Sequence, residues 1–399
     1  MKALSLFEGF GIELEYMIVS EDCGRVLPLC DSLLQDITGE QVSEAEFGAI
    51  AWSNELVMHV LEMKTNGPAA SLEGLSQLFH ESIILANQHL RKYQARLLGS
   101  SMHPLLIPGD SIKIWPHEQS EIYHSYDRIF GCKGHGWSNL QSMHINLPFA
   151  NDDDFRRLMA AIRLVLPLIP ALTASSPYVE NKPLSADSRL EFYMKNQQKV
   201  PEIAGSLIPE PVYTRKEYEE KVLQKIFRAI DPFDPDKILQ EEWLNSRAAI
   251  ARFDRMAIEI RICDIQEAPV CDLAIAEIIC KLIKRLVERR DTALETFPTE
   301  ALKELLVATV KTAEKTEINN KDFLSAMGLA TETTARDMWM YLCSTLPLSD
   351  AAKNFTAMYD KGGTLASRIL KASRNGSGIT HVYQNLADCL QNNTAFHGS

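Results

Sequence analysis

The chain has no run of apolar residues near the ~18 needed to cross a bilayer as a helix, which excludes a helical membrane protein. It has eight cysteines (Cys23, Cys30, Cys132, Cys263, Cys271, Cys280, Cys343, Cys389) but no Cys-x-x-Cys pair, so the usual zinc spacing and the dithiol redox motif are absent. Free buried thiols are the expectation. Neither Gly-x-Gly-x-x-Gly nor Gly-x-x-x-x-Gly-Lys-Ser/Thr occurs, and both common backbone cradles for nucleotide phosphates are thereby excluded. Basic residues are in deficit, 41 against 53 acidic, and the net charge of −12 argues against a surface built to coat nucleic acid. Any phosphate-bearing ligand must be held by local arginines and metal. The stretch MKALSLFEGFGIELE reaches acidic residues without the apolar centre of a signal peptide, so no membrane partner and a cytoplasmic location are expected.

What the chain does have is four short runs that alternate between fat and charge. GIELEYMIV places Glu13 and Glu15 two apart, QSMHINLP places His144 and Asn146 two apart, and AIEIRIC sets Glu259 and Arg261 against Ile258, Ile260 and Ile262. NELVMHVLEMKT supplies Glu62 and Lys64. Residues two apart on a strand share a face, so each run offers a pair of polar groups to one surface. A solvated sheet face would show the same alternation. It would normally recruit Lys, Thr, Ser and Gln, whereas carboxylates with a histidine suit hard divalent cations, and an arginine beside a carboxylate suits an anion next to the metal.

With 399 residues there is room for two or three ordinary domains or for one large single-sheet enzyme. Residues 70–98 have helical apolar spacing, and HPLLIPGDSIKIWPHEQS reads as a loop from its prolines and glycine. His103, His117, His124 and His135 lie in or near that loop and are expected to be packing or loop residues. Residues 152–174 read as a helix that Pro167 and Pro170 kink or end, and residues 216–230 as another. After AIEIRIC a proline opens a long amphipathic helix, and most of the chain reads helical from there, with no strand expected. The expected class is therefore α+β, with a mainly antiparallel sheet to about residue 265 and a helical part over about 266–399, the whole forming one catalytic domain.

GIELEY at 11–16, LEMKT at 61–65, SMHINLP at 142–148, ALTASSPY at 171–178 and EIRICD at 259–264, with DKGGTL at 360–365, follow the order of motifs in the glutamate–cysteine ligase type 2 family, which the chain resembles over nearly its whole length. The resemblance implies a funnel-like antiparallel sheet of the glutamine synthetase and guanidino kinase type, with covering helices, whose inner face holds Mg²⁺ (or Mn²⁺) and the phosphates of ATP. Position by position, it makes Glu13, Glu15, Glu62, His144 and Glu259 metal ligands, and Arg261 the group that meets the transferred phosphoryl. Glu259 and Arg261 would then form the catalytic pair. Asn146 falls beside His144 on the same face as a phosphate or substrate contact, and Arg252, seven residues before Glu259, could meet an anion or be an exposed arginine. Arg189 could meet a substrate carboxylate or be a loop arginine, and Ser176 and Tyr178 would line the acceptor pocket.

The implied reaction is ATP-dependent joining of a small-molecule carboxylate, glutamate by the family's name, to an amine, cysteine or another amino compound, through an acyl phosphate. Two departures stand out. Members often carry an acid four residues before the second-strand acid, where this chain has Met58; Glu55 is nearby, but on an unbroken strand it would face away from Glu62. Met256 and Ala257 stand where members commonly read Gly-Thr, which puts the turn before the last strand in question. A guanidino-kinase-like phosphotransferase and an idle nucleotide-binding relative are the competing readings. Open sheet edges would suit a homo-oligomer.

Overall fold

The computed structural model of the chain describes residues 3–374, 376 and 378–398. Eight strands form one antiparallel sheet: β1 (Gly11–Ser20), β2 (Glu44–Phe47), β3 (Ile50–Asn54), β4 (Val60–Thr65), β5 (Ala95–Leu98), β6 (Ser142–Pro148), β7 (Ala249–Arg252) and β8 (Ala257–Asp264). Their order is β2-β3-β4-β1-β6-β8-β7, with β5 also on β1. The long strand β1 divides one edge between two partners: Gly11–Leu14 pair with β6, and Met17–Ser20 pair with β5. Its other edge pairs with β4 over Glu13–Met17. Gly11 lies opposite Asn146, and a Cβ there would come within 2.9 Å of the Asn146 Cβ. Glycine at the head of GIELEY therefore lets Asn146 cross over β1.

The apolar members of the alternation form the core. Ile12, Leu14, Tyr16, Leu61, Met63, Met143, Ile145, Leu147, Ile258, Ile260 and Ile262 are fully buried, in one cluster with residues of the helices Leu75–Leu90, Asp152–Val165 and Pro269–Arg289. Two of the three helices start for a local reason. Asn151 caps the second by accepting from the Asp154 amide at 3.0 Å, and Asp152, Asp153 and Asp154 sit at its positive end. Pro269 opens the third, at a position that needs no amide donor. Pro167 and Pro170 segment the chain as expected, into a 3₁₀ turn at Leu166–Leu168 and a short helix at Ile169–Thr173.

At the far end of β1 the opposite face is apolar too. Met17 and Val19 are covered by Leu365, Ile369, Val382, Tyr383 and Leu386 of the last two helices. The charged part of that face is thus confined to the Gly11 end. DKGGTL sits at the junction before Leu365–Arg374, where Gly363 is left-handed at φ 74° and Thr364 donates to Glu314 at 2.9 Å.

Several expectations need correction. Residues 70–98 are not all helix, because the helix ends at Leu90 and the chain returns as strand β5. The short strands β2, β3 and β7 are additions to the four runs. The turn before β8 does form, with Met256 at φ 53°, a left-handed position that glycine would occupy without strain. All eight cysteines are free, and seven are buried. No described helix is long and apolar enough to cross a membrane. The outer edge strand β2 carries exposed Glu44 and Glu46, charges that discourage edge-to-edge pairing.

Candidate active site

Cross-strand register gathers the polar members of the four runs. Glu13 faces His144 on β6 and Lys64 on β4, Glu15 faces Glu62, and Glu259 faces Asn146. Residues opposite one another in an antiparallel pair point to the same side, so four adjacent strands present these groups together. His144 Nδ1 is 2.8 Å from Glu13 Oε2, and Asn146 Nδ2 donates to Glu13 Oε1 at 2.9 Å. Ser142 donates to Glu15 Oε2 through its amide at 2.7 Å and its hydroxyl at 3.0 Å, and its Oγ also lies 3.0 Å from His144 Nε2. Glu15 and Glu259 each approach the same imidazole at 3.8 Å. On the other flank Ser53 donates to Glu62 Oε2 at 2.5 Å, and Lys64 Nζ lies 3.1 Å from that oxygen.

The arginines close the opposite side. Arg261 pairs with Glu259 at 2.9 Å and donates to the Asn245 carbonyl at 3.3 Å. Arg252, expected as an anion contact or an exposed arginine, is buried and pairs with Asp254 at 2.9 Å and with Glu259 at 3.5 Å. Glu259 is thus held between two guanidinium groups, and it fixes where Arg261 can reach.

Crowding of acids in a dry face has the consequence physical chemistry demands. Burial and the charge of Glu13 push Glu62 up to about 7, although Lys64 and Ser53 pull it down. Burial and the charges of Glu15 and Glu62 hold Glu55 well above the ordinary carboxylate range. Burial alone would lower His144, but the Glu13 hydrogen bond and the charges of Glu13, Glu15 and Glu259 raise it to about 9. Burial also works against ionisation of Glu13, yet the His144 bond and charge, with Arg255 and Asn146, keep it well below the usual range. Glu55 thus feels the charges of Glu15 and Glu62, although among the described residues no hydrogen bond or ion pair ties its side chain to them. Strand β3 stops at Asn54 and β4 starts at Val60, so parity across the gap does not hold.

Such a face calls for cations. One ligand atom each of Glu13, Glu62 and His144 lies within 4.8 Å of the others, a mixed oxygen and nitrogen set that fits Mg²⁺ or Mn²⁺. Neutralising Glu62 and Glu55 by an ion would remove the need for them to take up protons.

The remaining candidates fall elsewhere. Arg189 is on the short helix Ser188–Tyr193, buried, with Nε 2.5 Å from Asp264 Oδ1. Ser176 is also buried, donates to Asp264 Oδ2 at 2.9 Å and accepts the Arg189 amide at 3.1 Å. Tyr178 is turned to Ser373 Oγ at 2.7 Å. Among the described residues none of these three hydrogen-bonds to a member of the charged face. Sequence reasoning missed Ser142 and Ser53. Ser142 had a signal, since it continues the even spacing of His144 and Asn146, whereas Ser53 lies on a strand the sequence did not reveal. Of the histidines near the loop, His103 is a packing residue as expected, its Nε2 3.2 Å from the Cys23 carbonyl and its pKa pushed by burial to about 4.

The family model described as glutamate-cysteine ligase family 2 matches residues 9–381. An uncharacterised protein of Archaeoglobus fulgidus is 36% identical over 315 residues, spanning 79% of this chain and 83% of that protein. A Nocardioides protein named "Putative glutamate--cysteine ligase 2-1" is 24% identical over 286 residues, 70% of this chain and 67% of that one. Among solved structures, glutamate–cysteine ligase of Francisella tularensis in complex with AMP aligns with a TM-score of 0.63 at 13% identity, over 98% of this chain and 90% of that one. At that identity the likeness is one of fold.

Proposed function

The chain belongs to glutamate-cysteine ligase family 2, and from that premise we propose that it is an ATP-dependent carboxylate–amine ligase that activates a glutamate-like carboxylate as an acyl phosphate and passes the acyl group to an amine. The observation that carries this reading is the shared face of Glu13, Glu15, Glu62, His144 and Glu259 with Arg261 at its edge. We read the whole chain as one catalytic unit working in the cytoplasm. The AMP bound to the Francisella tularensis ligase supports a nucleotide here as well.

A carboxylate is a poor electrophile, and moving the γ-phosphoryl of ATP onto it supplies a leaving group. Glu13, Glu62 and His144 would hold a divalent ion, with Glu15, Glu55 and Glu259 near enough to share in binding cations; Mg²⁺ there would neutralise phosphate charge and align donor with acceptor. Arg261 would lie against the oxygens of the moving phosphoryl, its orientation fixed by Glu259 and the Asn245 carbonyl. Arg252 would add charge on the same flank, and Asn146 Nδ2 keeps the Glu13 carboxylate turned to the face while remaining a candidate phosphate or substrate contact. Attack of the amine on the acyl phosphate then forms the amide, γ-glutamyl if glutamate reacts through its side chain, and releases phosphate. Arg189, Ser176 and Tyr178 remain candidates for the acceptor side.

The test is ADP release over a matrix of carboxylates and amines, with hydroxylamine as trap. Glutamate with hydroxylamine should give a hydroxamate and stoichiometric ADP. ADP appearing only with a guanidino acceptor would replace the ligase by a phosphotransferase, and nucleotide binding without ADP from any acceptor would leave a binding protein.

A further inference from the structure

We propose that Lys64 is a built-in, displaceable cation of this site, which holds Glu62 while no divalent ion is present and sets how tightly the ion binds. The inference rests on the reading of Glu13, Glu62 and His144 as ion ligands.

Lys64 stands two residues after Glu62 on β4 and directly opposite Glu13, so its ammonium enters the charged face from the strand that carries a proposed ligand. Its Nζ lies 3.1 Å from Glu62 Oε2 and 2.7 Å from Glu44 Oε2, and donates to Ser53 Oγ at 3.0 Å. Three partners satisfy the three N–H bonds of an ammonium. The Glu62 oxygen is in turn engaged twice, by Lys64 and by Ser53 at 2.5 Å. A divalent ion on Glu62 must compete with that ammonium, because two cations would then share one carboxylate in a face shielded from water.

The geometry also provides somewhere for the ammonium to go. Glu44 is on the outer edge strand, and its side chain is 50% exposed against 10% for Glu62. Lys64 spans the inner acid and the outer one, so a short swing towards Glu44 frees Glu62 and leaves the ammonium in water beside a counter-charge. A permanent ion pair would need only one acid. The arrangement of one lysine between a buried and an exposed carboxylate is that of a cation exchange, in which the divalent ion enters as the ammonium withdraws.

The reading predicts effects of opposite sign. Mn²⁺ binding to the full chain would be followed by electron paramagnetic resonance of the free ion, and folding of each variant by circular dichroism. Lys64→Met should bind Mn²⁺ on the order of tenfold more tightly than the parent, since the competing charge is gone. Lys64→Arg, which keeps the charge, should stay near the parent. Glu44→Gln, an exposed change that spares the fold, should weaken binding severalfold, because Lys64 then has only Glu62 to hold. In the Lys64→Met background Glu44→Gln should do nothing, since Glu44 acts through the lysine.

Equal or weaker binding by folded Lys64→Met would overturn the proposal. So would an unchanged Glu44→Gln, or a Glu44→Gln loss of the same size in both backgrounds, which would make Glu44 a simple attractor of cations. Parent protein that binds no Mn²⁺, with or without nucleotide, would overturn the ion site itself and the exchange with it.

Discussion

Replacing Arg189 by methionine separates a structural strut from a substrate contact. Arg189 and Asp264 are 2% and 0% exposed, and their Nε–Oδ1 pair measures 2.5 Å. Asp264 also accepts from the Ser175 amide at 2.8 Å and the Ser176 hydroxyl at 2.9 Å, and it lies near enough to Asp187 that its charge, after burial, raises the Asp187 pKa. Taking away the guanidinium strands one carboxylate beside another with no cation between them. Removing one partner of a buried pair costs about 3–5 kcal/mol, and the three hydrogen bonds left to Asp264, counting its Ser175 hydroxyl contact, place this case at about 3. For a chain of this size that is a fall in melting temperature of roughly 3–5 °C. Scanning calorimetry and urea unfolding would measure it. Adding Asp264→Asn should recover a large part of the loss, because the stranded charge goes too. The opening for substrate is Arg189 Nη2, which has no hydrogen-bond partner among the described residues. An unchanged melting temperature with lost turnover would refute the strut and make Arg189 a ligand of the substrate carboxylate.

Arg261→Ala should cut turnover roughly a thousandfold or more with nucleotide affinity nearly intact, because its work is done on the moving phosphoryl; an unaltered rate in steady-state assays would refute its role. The pH dependence has a definite sign. His144 and Glu62 are raised above their ordinary values of 6.5 and 4.5, so the stability they add is full below those values and lost as pH climbs through about 7 and about 9. A divalent ion needs the carboxylate and the neutral imidazole, so the stabilisation by Mn²⁺ should grow over the same window. Glu13, held low, adds stability that disappears only on acidification. Melting curves with and without Mn²⁺ across pH would check this, and parallel curves at all pH values would count against the ion site.

Much of the site was legible because a strand has a period of two. Glu13 and Glu15, His144 and Asn146, Glu259 and Arg261 could be assigned to faces from spacing alone, and the apolar partners fixed which face was core. Parity could not be carried to Glu55, because a turn separates β3 from β4. Strands of four or five residues such as EAEF, ARLL and AIAR are too short for alternation to register, and AIAR is buried on every side chain. Without β2 and β3, neither Glu44 nor Ser53 could be placed beside Lys64. Arg189 and Ser176 were visible as polar residues in a loop-like segment, but whether they face a ligand or Asp264 depends on tertiary packing that one sequence does not carry.

Dividing one edge of β1 between β5 and β6 has a consequence for how the chain is made. Glu13 waits for Glu62, then for His144, and last for Glu259, which follows it by 246 residues. At a synthesis rate of ~5–20 residues per second that is an interval of roughly 12–50 seconds. Once β6 is made, and until Ala257 begins β8, one edge of β6 has no neighbour, and acids meant to share a cation repel one another. Nascent chains halted before residue 257 should therefore be prone to aggregation and in need of a chaperone, and the last of the eight strands to emerge is the one that joins β6 to β7 and completes the charge balance of the face.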